Sequence, residues 1–521
     1  MPRVVLVDLD KGTVISQEHQ FESLDQSGRS LSARLCYEYR GQGGQRGCLV
    51  LAPGLLSGTP VPSTCRLSLA GIAPASNQLH LANIAGPLPQ KLASLDIAAL
   101  VVVGDRQSQR TLTVQASATG VQLVAIPELR GAPVGQTVSA LRAKWDAETA
   151  VVGIGPAGER LLALSSAFST YPASGSPVYH VGRNRLGSVF GSMGLKAVVV
   201  SGRAHFSAPT ADSALIAQLN KQLGRIIVQH PVCGGALPAY GSITLIKMLR
   251  HGHDFAVSLT ADGSKRPVGV QPGLNRNCGP GCVIGCLNRH AASAEEAYSS
   301  PAESEVLAGC EKHFAINSPS FARALNQACF ELGIDSLEFV ASAAMFLRAE
   351  RRPASEGAIW ELLSEVTHLT STGRIVGSGT GTIAKLYADQ TDLAGLVTRP
   401  SVQEAKHFQV AIPHKAEGFA SLSDLDYLHA YMLGTGNLGI CLFTSFAILE
   451  HPEGQDLLAR LASAKVGKTF ASGDIIQSGL NALQAVKGYE LSLFEQSVDA
   501  SVPEFVKVLY RYFAQGSAAR S

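Results

Sequence analysis

The hydrophobic pattern of the chain changes once, near residue 205, and this change limits the folds that it can adopt. Before that point, short β-branched runs are separated by Gly, Pro, Asn and Asp, which is typical of a sheet-rich unit. These predicted strands are Val4–Leu9, Cys48–Ala52, Ala98–Val103, Thr111–Gln115, Val121–Ile126, Ala150–Ile154 and Lys196–Ser201. After it, apolar residues recur at three- and four-residue spacing, which predicts helices. These predicted helices are Ala211–Ile227, Ser320–Leu332, Leu337–Arg351, Glu356–Leu369, Gln455–Ala464 and Glu504–Phe513.

The pattern therefore predicts an α+β fold in three parts. We place a β-rich domain at residues 1–205, a mainly helical domain at 206–415 and a second mainly helical domain at 416–521. Pro413, Gly418 and several Ser interrupt the helical pattern near the second boundary. We recognise no internal repeat in the sequence.

Composition and charge exclude several classes of protein. Lys and Arg number 43 against 41 Asp and Glu, so the chain lacks the basic field that binds nucleic acid or an acidic membrane. Although the mean hydropathy is +0.15, no apolar run reaches the roughly 18 residues of a membrane-spanning helix. Asp8 and Asp10 lie where a secretory signal needs an apolar core, so we expect a cytoplasmic protein.

Three of the ten cysteines, Cys278, Cys282 and Cys286, lie close together in a Gly- and Pro-rich segment. In a reducing compartment such cysteines are thiols or metal ligands more often than disulfides. Three thiolates from a Gly-rich loop, with a fourth from elsewhere, are typical of an iron–sulfur cluster. Zinc is the rival interpretation, although zinc usually takes two separated cysteine pairs. Chance clustering of buried thiols is the third. The spacing leaves the fourth ligand open.

Other glycine-rich segments are weaker signals. Val181–Lys196 combines four glycines with Arg183 and Arg185 before a predicted strand, which suits an anionic ligand approached by the backbone. A glycine-rich turn with solvated arginines explains the same pattern. The triplet Leu-Gly-Ile occurs before two potential ligands, Asp335 and Cys441.

In their order along the chain, these segments resemble the tungsten- or molybdenum-dependent aldehyde:ferredoxin oxidoreductases. The matching segments are Arg3–Gly12, Ser57–Arg66, Asn83–Gly86, Ile154–Glu159, Gly182–Lys196, the Cys278–Cys286 loop, Gly333–Asp335 and Gly439–Cys441. The resemblance implies a β-rich first domain that cradles two pterins holding one metal, with two helical domains closing over it.

The resemblance also implies site residues and cofactors by position. The implied pterin contacts are Arg66, Asn83, Ala85, Arg183, Asn184, Gly187, Ile334, Asp335 and Ile440. The implied ligands of a 4Fe-4S cluster are Cys278, Cys282, Cys286 and Cys441. A tungsten or molybdenum bispterin, with Mg at the pterin phosphates, completes the implied set of cofactors.

The activity that the resemblance implies is oxidation of a small aldehyde to a carboxylic acid, with electrons leaving through the cluster to ferredoxin or a ferredoxin-like carrier subunit. A homodimer is also expected. The reaction needs a general base; Glu305 is our first candidate and Glu303 our second, although solvated carboxylates before a helix explain both equally well. We locate no active-site histidine among His407, His414 and His429.

Two departures from the family favour an alternative function: Phe330 and Gly436 stand where the family has polar residues. The cysteine loop departs as well, since three residues instead of two separate Cys278 from Cys282. The alternative is a non-catalytic or repurposed electron-transfer or assembly subunit that keeps the fold and the cluster. The retained Arg66 and Asn83 argue against it.

Cys441 needs its own argument, because it lies far from the other three cysteines. Gly439 gives the backbone room just before it, and the following run Leu442–Ile448 resembles a helix. A sulfur near a helix N-terminus is favoured as thiolate. We predict that Cys441→Ala loses the cluster and that Cys310→Ala retains it.

Overall fold

The structure, a computed structural model, describes residues 1–40, 46–74, 77–106, 108–172, 179–202, 205–241, 244, 277–287, 303–389, 412–493, 508–509 and 512–513. Two six-stranded sheets occupy residues 3–200, and helices dominate the described residues that follow. The predicted α+β fold is confirmed.

The first sheet has the strand order β2-β1-β6-β3-β4-β5 and the second β11-β10-β9-β12-β7-β8. The strands are β1 Arg3–Asp8, β2 Thr13–Glu18, β3 Arg46–Pro53, β4 Arg66–Ile72, β5 Leu79–Ala85, β6 Ile97–Asp105, β7 Leu112–Ser117, β8 Gly120–Ala125, β9 Ala150–Ile154, β10 Ala167–Thr170, β11 Tyr179–Val181 and β12 Leu195–Val200. Side chains of the two sheets, among them Leu67, Ile84 and Val152, form a shared core together with Phe190 of the helix Gly187–Ser192.

The two sheets share one topology. The two sets are β1–β6 and β7–β12. In each set the first strand pairs antiparallel with the second and parallel with the sixth. The third strand lies between the sixth and the fourth. The parallel pair has the same irregularity in both sheets, because the register skips Ala98 in one and Lys196 in the other. The β-rich domain is therefore a duplication in topology, although the sequence shows no internal repeat.

Helices cover the sheets and form most of the rest of the described chain. They are α1 Gly28–Glu38, α2 Leu88–Ser94, α3 Val134–Lys144, α4 Pro156–Glu159, α5 Gly187–Ser192, α6 Ser213–Gln229, α7 Leu237–Tyr240, α8 Glu303–Phe314, α9 Pro319–Leu332, α10 Ser336–Ala349, α11 Glu356–His368, α12 Ser371–Gly377, α13 Thr380–Leu386, α14 Asp424–Leu438, α15 Ser445–Glu450, α16 Gly454–Val466 and α17 Ser472–Leu493. Within the described ranges, none of these helices is long and apolar enough to cross a membrane.

The helices pack in two groups. One core joins α8–α13 with Leu162 and Leu164. A second core joins α6 with α14–α17 and with the cysteine loop, and the chain entering α6 is bonded to the end of α16, where Asp212 N donates to Ala464 O at 2.9 Å. The helices thus pack across residue 415, and the two domain boundaries stay a prediction. Most of the predicted helix Glu504–Phe513 lies outside the described residues.

Candidate functional site

Two helices deliver their C-terminal ends to equivalent places on the two sheets. Helix α9 ends at Gly333 with φ 75° and α14 at Gly439 with φ 76°, a left-handed conformation that favours glycine. Each of these glycines meets another glycine just after a central strand. A Cβ on Gly155 would lie 2.6 Å from the carbonyl carbon of Leu332, and a Cβ on Gly54 would overlap the backbone of Gly439. Close backbone approach therefore requires glycine on both sides.

The contact of Gly333 with Gly155 is the first of two junctions, and it holds Asp335 against the second sheet. Asp335 N donates to Leu164 O at 3.1 Å, and Gly333 O accepts from Ser166 N at 2.9 Å. The carboxylate Oδ1 of Asp335 then caps α10 by accepting from the backbone of Leu337 at 3.0 Å and of Glu338 at 3.2 Å. Burial raises the pKa of Asp335 above its ordinary value, although the Arg183 charge opposes the shift.

The contact of Gly439 with Gly54 is the second junction, and it holds Cys441 against the first sheet in the same way. Cys441 N donates to Ser63 O at 2.8 Å, and Gly439 O accepts from Arg66 N at 3.3 Å. The Cys441 sulfur accepts a hydrogen bond from the Arg66 guanidinium at 3.1 Å. Cys441 precedes a short 3₁₀ helix, Leu442–Thr444, and then α15. The thiol therefore precedes a helical turn, as the sequence predicts.

The cysteine loop packs beside this junction. Ser63 N donates to Gly281 O at 2.8 Å, which fastens the loop to the residue that also holds Cys441. The pKa of Cys286 is raised by burial and by the neighbouring Cys282 and Cys441 sulfurs. The pKa of Cys282 is raised by its contact with Cys278 and by burial. The structure therefore brings the four predicted ligands into one buried region.

The four sulfurs are neighbours, but the distances between them are not those of ligands around a single metal ion. In the described ranges, no three His, Cys, Asp or Glu side chains lie close enough together to hold a metal. The chemistry of the donor set nevertheless fits a thiolate-held cluster, because three buried cysteines and the half-buried Cys286 lie together beside the Arg66 guanidinium. Although burial disfavours its charge, the Cys441, Cys278 and Cys65 sulfurs hold the pKa of Arg66 above its ordinary range.

Arg66 also faces the position of the predicted pterin. Register pairs Arg66 with Ala85 and Ser68 with Asn83, so Arg66, Asn83 and Ala85 share one face of the first sheet. The Nε of Arg66 and the Oδ1 of Asn83 are buried and make no hydrogen bond within the described part of the chain. Buried polar atoms are normally paired, so these atoms fit a polar ligand at this face.

On the second sheet, Arg183 forms an ion pair with Glu305 of α8. The pair gives Glu305 a fixed partner, and its role as a base stays a prediction. Glu303 is the first residue of the same helix, and its side chain lies outside the described ones.

The remaining predicted pterin contacts are Asn184, Gly187, Ile334 and Ile440. The side chain of Asn184 is occupied, since its Oδ1 accepts from Ala167 N at 2.8 Å and from Leu186 N at 3.0 Å. Gly187 begins α5 against Ser165, where a Cβ would lie 2.8 Å from the Ser165 carbonyl carbon. Ile334 and Ile440 are buried beside their glycines. The structure thus gives Asn184 and Gly187 roles in shaping the turn.

Sequence reasoning missed His180, in β11. Its ring stacks on Tyr171 at 5.7 Å between centroids and meets the edge of Phe330 at 5.2 Å. Burial, with the charges of Arg183 and Arg66, lowers the pKa of His180 to about 3, so the ring is neutral at pH 7. Its Nδ1 is buried without a partner among the described residues. A single His outside any motif carries no signal in the sequence.

The two departures from the family pattern have different surroundings. Phe330 is buried and packs against His180, so this position is apolar. Gly436 faces Arg29, whose Cβ would lie 3.6 Å from an added Cβ. Neither place offers the polar side chain that the resemblance leads us to expect.

Comparisons with known proteins show which families the chain is similar to. Residues 4–202 match the family model of the aldehyde ferredoxin oxidoreductase N-terminal domain. The tungsten-containing aldehyde ferredoxin oxidoreductases of Pyrococcus furiosus and Thermococcus kodakarensis are each 25% identical, over 301 and 304 residues. In both cases the similarity covers 56% of this chain and 47% of the relative. The chain therefore spans about half the length of the curated relatives it matches.

A solved structure has a similar fold. It is the active-site complex BamBC of benzoyl coenzyme A reductase in complex with 1,5-dienoyl-CoA, with a TM-score of 0.70 and 14% identity. The match covers 98% of this chain and 93% of the other. The N-terminal family domain and the curated relatives fit a divergent member of the aldehyde ferredoxin oxidoreductase family.

Proposed function

We propose that this chain oxidises an aldehyde to a carboxylic acid at a tungsten or molybdenum bispterin and passes the electrons through a 4Fe-4S cluster to ferredoxin or a ferredoxin-like carrier. The observation that carries the proposal is the position of Arg66. Its guanidinium donates to the Cys441 sulfur at 3.1 Å, while its Nε is buried on the face shared with Asn83 and has no partner among the described residues. One side chain therefore joins the predicted cluster to the predicted cradle.

Each group of residues then has a defined task. Cys278, Cys282, Cys286 and Cys441 hold the cluster, while Arg66 and Asn83 bind polar edges of the pterin on the first sheet. Arg183 binds on the second sheet, where guanidinium pairs well with phosphate, and Mg neutralises the remaining phosphate charge. When bound, the metal and its pterins supply the two-electron acceptor that oxidises the aldehyde.

The chain's own residues must also remove a proton from water or from the aldehyde hydrate. Glu305 is the candidate base, and its ion pair with Arg183 orients the carboxylate. His180 is neutral at pH 7 because its pKa is lowered to about 3, so it serves as a hydrogen-bonding group and not as a cation. We further propose a cytoplasmic homodimer.

Metal and cofactor analysis tests the proposal. Protein purified without oxygen should contain tungsten or molybdenum, iron, acid-labile sulfide and releasable pterin, and should reduce viologen dyes with some member of a panel of small aldehydes. Glu305→Gln should keep the cofactors and lose dye reduction at least 100-fold, the low end of a general base's contribution of about 10²–10⁴-fold. Glu361→Gln, on the exposed side of α11, is the matched control and should stay active. Iron without tungsten, molybdenum or pterin would contradict the proposal.

A second candidate is favoured by Phe330 and Gly436, where polar contacts are missing. In that case the chain is an electron-transfer or assembly subunit that keeps the cluster. It would contain iron and sulfide without pterin and would reduce no dye with any aldehyde. Aldehyde-dependent activity would exclude it.

A further inference from the structure

We propose that Cys65 is a positioning residue for the cluster: its S–H group donates a hydrogen bond to the thiolate of Cys278 and raises the reduction potential of the cluster. This inference rests on the proposed function, because it requires that the cysteine loop holds an iron–sulfur cluster. Cys65 carries no family role in the sequence and stands apart from the cysteine loop by more than 200 residues.

The contact between the two thiols is direct. The Cys65 sulfur lies 3.9 Å from the Cys278 sulfur, within hydrogen-bonding range for sulfur, and Cys65 is fully buried. The next residue of the loop shows how close the approach is. A Cβ on Gly279 would lie 2.6 Å from the Cys65 Cβ and 2.8 Å from its sulfur. Only glycine at 279 allows the loop to lie on Cys65.

The backbone around Cys65 holds its sulfur in place. Cys65 O accepts a hydrogen bond from Gly86 N at 3.2 Å, at the end of β5. The following residue, Arg66, begins β4 and donates to Cys441. Two consecutive residues therefore approach two of the four predicted ligands, Cys65 at Cys278 and Arg66 at Cys441.

Ligation divides the roles of the two touching sulfurs. Cys278 is the ligand, because its loop also carries Cys282 and Cys286. A cysteine that ligates iron binds it as a thiolate and has no proton to donate. Across the 3.9 Å contact between the two sulfurs, the donor is therefore the S–H group of Cys65.

A donor to a ligand sulfur favours the reduced cluster, which carries one more negative charge. A net hydrogen bond contributes about 0.5–1.5 kcal/mol. Its loss should therefore lower the ratio of reduced to oxidised cluster at a fixed potential by roughly two- to tenfold.

The test is a redox titration of the cluster, followed by EPR, in anoxic holoprotein with iron and sulfide measured alongside. Cys65→Ala removes the donor and should lower the midpoint potential. Cys65→Ser keeps a donor of similar size and should stay at or above the wild-type potential. Cys36→Ala is the matched control, because Cys36 is an equally buried thiol in the same domain, bonded to Cys48 O. It should leave the potential unchanged.

Three results would overturn the inference. An unshifted potential in Cys65→Ala would remove the donor role, and equal shifts in the Ala and Ser variants would reduce Cys65 to packing. Loss of iron from Cys65→Ala would make it a ligand instead. If the wild-type chain takes up no cluster, the proposed function falls together with this inference; a wild-type cluster with an unshifted Cys65→Ala overturns the role of Cys65 alone.

Discussion

The junctions at Asp335 and Cys441 are built on one backbone plan and carry different chemistry. Helices α9 and α14 both end on Leu-Gly-Ile, with the glycine left-handed and packed on a glycine that follows a central strand. At the first junction the next residue is a carboxylate that caps α10. At the second it is a thiol facing Arg66. The duplicated frame thus supplies position, and the residue after Ile decides which chemistry is held there.

The likeness extends to how each helix is fastened over its sheet. Glu331, in the last turn of α9, accepts from Gly135 N of α3 at 2.9 Å. Asn437, in the last turn of α14, accepts from Ser30 N of α1 at 2.8 Å. Both side chains cap a helix N-terminus, where backbone N–H groups lack partners. Asn437 is fully buried, whereas Glu331 is half-buried, so the Cys441 junction is the more enclosed.

The largest expected effect is a difference in cluster content between variants at the two junctions. Cys441→Ala should abolish the cluster, because a thiolate ligand is lost, while Asp335→Ala should keep it. Iron, sulfide and EPR of anoxically purified protein measure the difference. Cys310→Ala, a buried thiol in the core of α8–α13, is the control and should retain the cluster. A Cys441→Ala protein with the wild-type signal would show that the fourth ligand lies elsewhere.

The glycines should respond alike at both junctions. Gly439→Ala and Gly333→Ala each force a left-handed residue into backbone at 2.8 Å and 2.7 Å, and each should cost about 3 kcal/mol of unfolding free energy. Gly12→Ala has φ 65° with no atom within 4 Å, so strain alone should cost about 1 kcal/mol. Urea unfolding compares the three. A Gly439→Ala loss no larger than that of Gly12→Ala would contradict the close approach.

The two fastening side chains should differ in degree. Asn437→Ala removes a fully buried acceptor from the Ser30 N–H and should cost about 1–3 kcal/mol. Glu331→Ala should cost less, because water reaches that half-buried site. Glu361→Ala, on an exposed helical face, should stay within about 0.5 kcal/mol of wild type. The opposite order in unfolding experiments would mean that enclosure does not distinguish the junctions.

The smallest effect is a pH dependence confined to the Asp335 junction. Because burial raises the pKa of Asp335 above its unfolded value of 3.8, the ionised carboxylate lowers stability at neutral pH. Asp335→Asn keeps an oxygen for the cap and should raise Tm at pH 7. The gain should shrink as pH falls through the folded pKa and vanish below 3.8. A wild-type protein more stable than Asp335→Asn at pH 7 would show that Arg183 outweighs burial.

Local patterns in the sequence were sufficient for some elements and insufficient for others. Helix α9 was predicted at Ser320–Leu332 and lies at Pro319–Leu332, because it has one apolar face and a glycine at its end. Helix α14 was missed, since it is buried on nearly all sides and shows no polar stripe. Strand β2 was missed for the opposite reason: all of its residues are exposed, so no alternation marks it.

The sequence by itself determined which chemical groups are available. They are the cysteine loop, the two Leu-Gly-Ile triplets and the arginines of the glycine-rich segment Val181–Lys196. Only the tertiary structure decided which of them meet. Cys65 and Cys278 are 213 residues apart, Arg66 and Cys441 are 375 apart, and Arg183 and Glu305 are 122 apart. Such contacts follow from strand order and helix packing, which depend on long-range pairing that no local pattern encodes. For the same reason the duplication of the two sheets is visible in their register and not in their residues.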